Sequence, residues 1–124
     1  MMNNRDNLIS IIVPCYNEEH AIPYFYKAIT EHSTLMKNEF GVDFEYLFIN
    51  DGSVDNTLTV LKEYASKDNR VKYISFSRNF GKESAMYAGL KNASGNYIAI
   101  MDADLQDRPY MLTEMYKTII ESDY

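Results

Sequence analysis

The chain of 124 residues is one domain or part of one, and 46% hydrophobic against 24% charged residues is ordinary globular composition with material for a core. Its net charge of −6, with 12 Lys and Arg scattered among 18 Asp and Glu, argues against nucleic acid as a partner, because phosphate backbones need clustered cations. The single Cys15 excludes an internal disulfide, and neither an apolar run of about 18 residues nor a signal-peptide core is present, so a soluble, cytoplasmic segment is expected.

Leu8-Ile9-Ser10-Ile11-Ile12-Val13 is short, β-branched and almost continuously apolar, which suits a strand buried on both faces. Pro14 is expected to stop it. Ile22, Phe25, Tyr26, Ile29 and Met36 recur at helical spacing and predict a helix over 21–37. A second strand is predicted over 44–49, and a second helix over 57–67 with Leu58, Leu61, Tyr64 and Ala65 on one side. A third strand follows over 71–76. The helix predicted over 83–92 carries Ala85, Met86, Ala88, Gly89 and Leu90, a largely small-residue face that can approach a sheet closely. Ser94-Gly95-Asn96 reads as a turn, 97–101 as a fourth strand and 109–121 as a fourth helix with Pro109 near its start. Four strand–helix repeats predict an α/β fold, a Rossmann-like parallel sheet with helices on both faces.

In such sheets ligands bind beyond the carboxyl ends of the strands, where the strand order reverses. The four loops that leave those ends are 14–19, 50–55, 77–82 and 102–107, and they hold nearly all the unusual polar chemistry. The opposite loops, 38–41 and 67–70, are bland. Asp102-Ala103-Asp104 is the most informative element. Two carboxylates at about 4 Å repel by roughly 4 kcal/mol at an effective dielectric near 20. A hard divalent ion removes that cost and keeps open positions for phosphate oxygens. Gln106 adds a third oxygen donor, and Asp107 suits a helix cap.

Asp51 follows a strand directly, and on local grounds it suits either an Asx-turn or a hydrogen bond from a nucleobase. Ser53 and Asp55 are expected to cap the next helix. Tyr16 suits stacking on a base, and Glu18 suits either a base or ribose contact or favourable charge in the first turn of a helix; Glu19 fits the helical role. Arg78 and Lys82 suit a diphosphate or a solvated surface equally. His20 and His32 lack partners at metal-ligand spacing, and Cys15 lacks a nearby base that would make it a nucleophile. Glycine-rich nucleotide loops of the G-x-G-x-x-G or G-x-x-x-x-G-K-[ST] type are absent.

Taken together, Val13-Pro14-Cys15-Tyr16-Asn17-Glu18, Asn50-Asp51-Gly52-Ser53, Ser77-Arg78-Asn79-Phe80-Gly81-Lys82 and Met101-Asp102-Ala103-Asp104-Leu105-Gln106-Asp107 resemble the inverting GT-A glycosyltransferases of family two. The closest branch is that of the polyprenyl-phosphate sugar transferases, and the resemblance runs from Leu8 to the end of the chain. It implies that Pro14, Tyr16, Glu18 and Asp51 hold the nucleoside, with Ala103 lining the pocket and Arg78 and Lys82 meeting the diphosphate. Asp102 and Asp104 would form the catalytic D-x-D site, with Gln106 as a further ligand of Mn²⁺ or Mg²⁺. Asn50 stands where the family often has a first Asp, and Cys15 where it commonly has Thr or another small residue.

The resemblance further implies a nucleoside-diphosphate sugar donor and a polyprenyl phosphate acceptor at the cytoplasmic face of a membrane. Residues 1–124 are then the nucleotide-sugar-binding part of a GT-A domain expected to continue further. A sugar hydroxyl acceptor in polysaccharide or cell-wall synthesis is one alternative. Another is a non-catalytic, receiver-like module that binds metal at the acidic pair. The open edge of an unfinished sheet is expected to favour self-association.

Overall fold

A computed structural model describes residues 7–105 and 108–121. Its elements alternate as β1 (Leu8–Cys15), α1 (Ala21–Phe40), β2 (Asp43–Asn50), α2 (Thr57–Lys67), β3 (Val71–Ser75), α3 (Lys82–Asn92), β4 (Tyr97–Ile100) and α4 (Tyr110–Glu121). The strands form one parallel sheet in the order β3-β2-β1-β4. The chain steps outward from β1 to β3, then returns across the sheet to lay β4 on the far side of β1. The order therefore reverses between β1 and β4, as in a Rossmann fold. A receiver-type sheet has the order 2-1-3-4-5, so the receiver-like alternative does not hold.

Residue alternation along the strands sorts the core into two unequal layers. Ile9, Ile11 and Val13 of β1 with Tyr46 and Phe48 of β2 pack against Ile22 and Phe25 of α1, Leu61 of α2, and Leu112 and Tyr116 of α4. Ile12, Leu47 and Ile49 face the other way, towards Ala85 of α3. Outward right-handed crossovers keep α1 and α2 on one face, and the reversal places α3 on the other. On that second face α3 sits very close to the sheet. A Cβ added at Gly89 would lie 2.4 Å from Ile12 Cγ2, which confirms the small-residue face read from the sequence.

The amino end of β4 is tied to the sheet by a buried polar cluster. Glu45 Oε2 accepts from Ser10 Oγ (2.5 Å) and from the Ser94 N–H (2.7 Å), and Lys72 Nζ donates to Oε1 (3.0 Å). Burial opposes ionisation there, but these donors together hold the Glu45 carboxyl below its usual range. The Gly95 N–H donates to Ser10 Oγ (2.8 Å), so the turn before β4 has a fixed height on the sheet.

Several boundaries differ from the sequence reading for identifiable reasons. β1 runs through Pro14 to Cys15 rather than stopping. Ile12 O accepts from Met101 on the β4 side and Cys15 O accepts from Asp51 on the β2 side. By alternation the missing Pro14 N–H points to the β4 side, so the β1–β2 ladder runs on through residue 15. Helix α1 absorbs Asn38-Glu39-Phe40, read as loop, because Phe40 packs on Tyr116 with ring centroids 5.0 Å apart. Gly41 at φ 72 then ends it with an N–H bond to Lys37 O (2.8 Å). Glu18 and Glu19 precede α1 and are not in its first turn. Helix α3 begins one residue early, at Lys82.

With α3 alone among the described helices on the second face, Ile98 and Ile100 of β4 stay 42% and 38% exposed. They line an open apolar groove of about 360 Å³ with Leu90, Met111 and Met115.

Gly89→Ala weighs two opposed effects. A helical Ala gains about 1 kcal/mol over Gly, whereas overpacking a sealed core costs about 1–3 kcal/mol. Ile12 is fully buried between sheet and helix, so overpacking is expected to win and the denaturant midpoint to fall. A midpoint at or above that of the parent chain would show that α3 is not held this close.

Candidate active site

Three of the loops at the carboxyl edge, 14–19, 50–55 and 77–82, are hydrogen-bonded to one another. The Asn17 N–H donates to Ser53 Oγ (2.9 Å), and Asn17 Oδ1 accepts from the Val54 N–H (2.9 Å). These two bonds hold Asn17 in the left-handed region at φ 55, a conformation that Asn tolerates better than most residues. The Glu18 N–H donates to Thr57 Oγ1 (2.9 Å) and the Glu19 N–H to Asp55 Oδ2 (3.3 Å). Loop 14–19 is thereby latched to loop 50–55. Ser53 serves as this latch rather than as a helix cap. Asp55 does accept from the Thr57 N–H (2.9 Å), one residue beyond the N-cap Asn56.

Asp51 performs the second lock. It is 4% exposed, and its carboxylate accepts from the Phe80 N–H (2.8 Å), the Gly81 N–H (3.1 Å) and Asn79 Nδ2 (3.3 Å). Gly52, at φ 66, lets the two loops touch through their backbones. A Cβ there would lie 2.0 Å from the Arg78 carbonyl carbon. The sequence reading gave Asp51 a base contact or an Asx-turn and missed this anchoring role. Its only local signal was the glycine pair Gly52 and Gly81, both at positive φ. A carboxylate offers about four acceptor directions, so capacity for a further donor remains.

Pro14, Cys15, Tyr16, Glu18, Asp51, Lys82 and Asp102 line one cleft of about 170 Å³ at the β1/β4 switch point. Six of the expected site residues thus converge. Tyr16 is 46% exposed at its mouth. Asp104 is exposed further along the same loop, and Ala103 between the two acids turns into the core. Arg78 does not line the cleft; its guanidinium lies 4.8 Å from the centroid of the Phe80 ring. Gln106 and Asp107 lie outside the described residues.

The cleft is strongly negative. Burial, reinforced by the charges of Asp104, Asp55 and Asp102, holds the Glu18 carboxyl above its usual range. Burial also pushes the Cys15 thiol far up, and Glu18 and Asp55 add to the effect, so it stays protonated and unreactive. One cation balances the field. Lys82 Nζ, at the start of α3, lies 2.9 Å from Asp102 Oδ1.

Among the described residues, no three His, Cys, Asp or Glu side chains are grouped so as to hold a metal by themselves. The donor chemistry still fits a hard divalent ion. Mg²⁺-type sites use one or two carboxylates and complete the shell with water and substrate phosphates. Asp102 and Asp104 supply that number, and the Lys82 ammonium shows that a cation is accommodated against Asp102.

Gly52→Ala tests the contact between the loops. The left-handed backbone costs a non-glycine residue about 1–2 kcal/mol, and forcing the Arg78 backbone away adds about 1–3 kcal/mol. A clear loss of thermal stability is expected, together with weaker ligand binding. Parent-like stability would show that the loops are not in backbone contact.

The sequence and the fold both have relatives among known proteins. The model of the family described as Glycosyl transferase family 2 matches residues 10–124. The Bactoprenol glucosyl transferase of Shigella phage SfV is 48% identical over 99 residues, which are 80% of this chain and 31% of that protein. The Uncharacterized glycosyltransferase YkcC of Bacillus subtilis (strain 168) is 46% identical over 106 residues, 86% of this chain and 32% of that protein. The structure of S. aureus TarS 1-349 in complex with UDP-GlcNAc matches with a TM-score of 0.67 at 29% identity, covering 91% of this chain and 31% of that one. The chain spans about a third of the length of the curated relatives it matches. With the family model matching all but its first nine residues, the chain belongs to glycosyl transferase family 2.

Proposed function

We propose that this chain is the nucleotide-sugar-binding part of a GT-A domain. Its parent enzyme moves a hexose from a nucleoside diphosphate to a polyprenyl phosphate, with inversion at the anomeric carbon. The observation that carries this reading is the meeting of Tyr16, Glu18, Asp51, Lys82 and Asp102 in one cleft at the topological switch point. Relatives named bactoprenol glucosyl transferases support the lipid-linked acceptor. A structural neighbour that holds UDP-GlcNAc supports the donor class.

The cleft of about 170 Å³ is smaller than the roughly 300 Å³ of an ordinary small-molecule pocket, so it takes part of the donor while the rest lies across the open loops. Tyr16 offers a ring face to the base, with Pro14 in the same cleft wall and Asp51 and Glu18 as acceptors. The Lys82 ammonium and the amino end of α3 supply positive charge to the diphosphate. Asp102 and Asp104, with Gln106, would hold Mn²⁺ or Mg²⁺, which supplies Lewis-acid stabilisation to the departing diphosphate.

In the transfer, an acceptor phosphate oxygen forms a bond to the anomeric carbon as the bond from that carbon to the diphosphate oxygen breaks. The bonding pair leaves with the nucleoside diphosphate. A phosphate acceptor is already ionised near neutral pH, so this step needs no strong general base from the chain. A lipid-linked acceptor together with a nucleotide-sugar donor would put the parent enzyme at the cytoplasmic membrane face. No helix among the described residues is long and apolar enough to cross a membrane.

Calorimetric titration of UDP-glucose, UDP-N-acetylglucosamine, GDP-mannose and UDP, with Mn²⁺ and with EDTA, tests the donor site. One nucleotide is expected to bind in a metal-dependent way, and Asp104→Ala to weaken it by at least about tenfold, equivalent to about 1.4 kcal/mol. Binding that survives both EDTA and Asp104→Ala would sink the reading.

A further inference from the structure

We propose that Lys82 is a built-in counter-ion for Asp102 that a divalent ion has to displace, so that metal and diphosphate enter the site as a coupled pair. The inference rests on the nucleotide-sugar reading of the cleft and concerns the order and cooperativity of its filling.

Lys82 and Asp102 stand on different walls of the same cleft. Lys82 is the first residue of α3, and Asp102 lies just beyond β4. Their side chains meet across it at 2.9 Å, with 59% and 30% of their surfaces exposed. Both backbones are fixed. The Met101 N–H bonds to Ile12 O (2.9 Å) and the Leu105 N–H to Asp102 O (3.2 Å), while Asp51 grips Phe80 and Gly81 just before Lys82. The long lysine stem is the flexible part of the pair. An ion pair this exposed contributes little stability, so breaking it is easy.

The consequences follow from charge. While the ammonium sits on Asp102 Oδ1, a divalent ion approaching the same carboxylate meets both a repelling cation and an occupied oxygen. A diphosphate removes both obstacles, because it is an alternative partner for the lysine and adds its own oxygens to the metal shell. Each ligand therefore raises the affinity of the other by the same factor. The lysine also keeps the acidic loop compensated when no donor is present. Without it, Asp102 would add its charge to a cleft where the Glu18 carboxyl is already held above its usual range.

The test is Mn²⁺ binding read by electron paramagnetic resonance, with and without UDP or GDP, on the parent chain, Lys82→Met and Lys82→Arg. The parent is expected to bind Mn²⁺ weakly alone and about fivefold or more tightly with the matching nucleotide, the low end of ordinary coupling. Lys82→Met should bind Mn²⁺ alone more tightly than the parent, and nucleotide should then add little. Lys82→Arg, which keeps a competing cation, should retain weak binding of Mn²⁺ alone. If the parent shows nucleotide-dependent Mn²⁺ binding but Lys82→Met leaves the affinity for Mn²⁺ alone unchanged or lower, this proposal fails and the donor site stands. If neither chain binds Mn²⁺ with either nucleotide, the donor-site reading fails and takes this proposal with it.

Discussion

The carboxylate of Asp51, buried at the end of β2, organises the rest of the site. A buried charge is costly unless its acceptors are filled, and here the partners are backbone N–H groups of a loop some thirty residues away in sequence. Hydrogen bonds to a charged acceptor are worth about 1.5–3 kcal/mol each. They hold the β3–α3 loop against the β2–α2 loop, with Gly52 allowing the backbones to touch. Because Gly81 is the N-cap of α3, the same grip sets where that helix begins and where Lys82 can reach.

The remaining geometry follows from how α3 is seated. Among the described helices it alone covers the second face of the sheet, and Ala85 and Gly89 let it lie nearly on Ile12. One end of α3 therefore delivers Lys82 to the switch point. At the other, the chain turns through Ser94 and Gly95, pinned by Glu45 and Ser10, into β4. β4 in turn carries Asp102 to the same cleft from the opposite wall. Two independent anchors, Asp51 at the carboxyl edge and Glu45 at the amino edge, thus bracket the helix that crosses between the two halves of the sheet.

Much of this was legible in the residues. The continuous apolar run of β1 marks a strand buried on both faces, and strand–helix alternation implies a parallel sheet whose carboxyl edge gathers the polar loops. Long-range partnerships were not legible. Periodicity cannot show that Ser53 latches Asn17, or that Asp51 spends its oxygens on the β3–α3 loop, because these pairs are joined only by the tertiary fold. Pro14 looked like a strand terminator because the sequence does not show which side its lost N–H faces, and here it is not the side paired with β2. The extra turn of α1 depends on Phe40 meeting Tyr116 of α4, a contact no local pattern contains. Arg78 shared a motif with Lys82, yet it packs on Phe80 rather than lining the cleft.

The central claim is that the acidic loop and the loops around it form one metal-dependent nucleotide site. Paramagnetic broadening of backbone amide signals by substoichiometric Mn²⁺ in the presence of UDP or GDP tests it most directly. Broadening is predicted for residues 15–18, 81–83 and 102–105, with the exposed acids Glu31, Glu39 and Glu63 on the helices unaffected. Broadening spread over those helix surfaces, with the cleft signals sharp under both nucleotides, would contradict it.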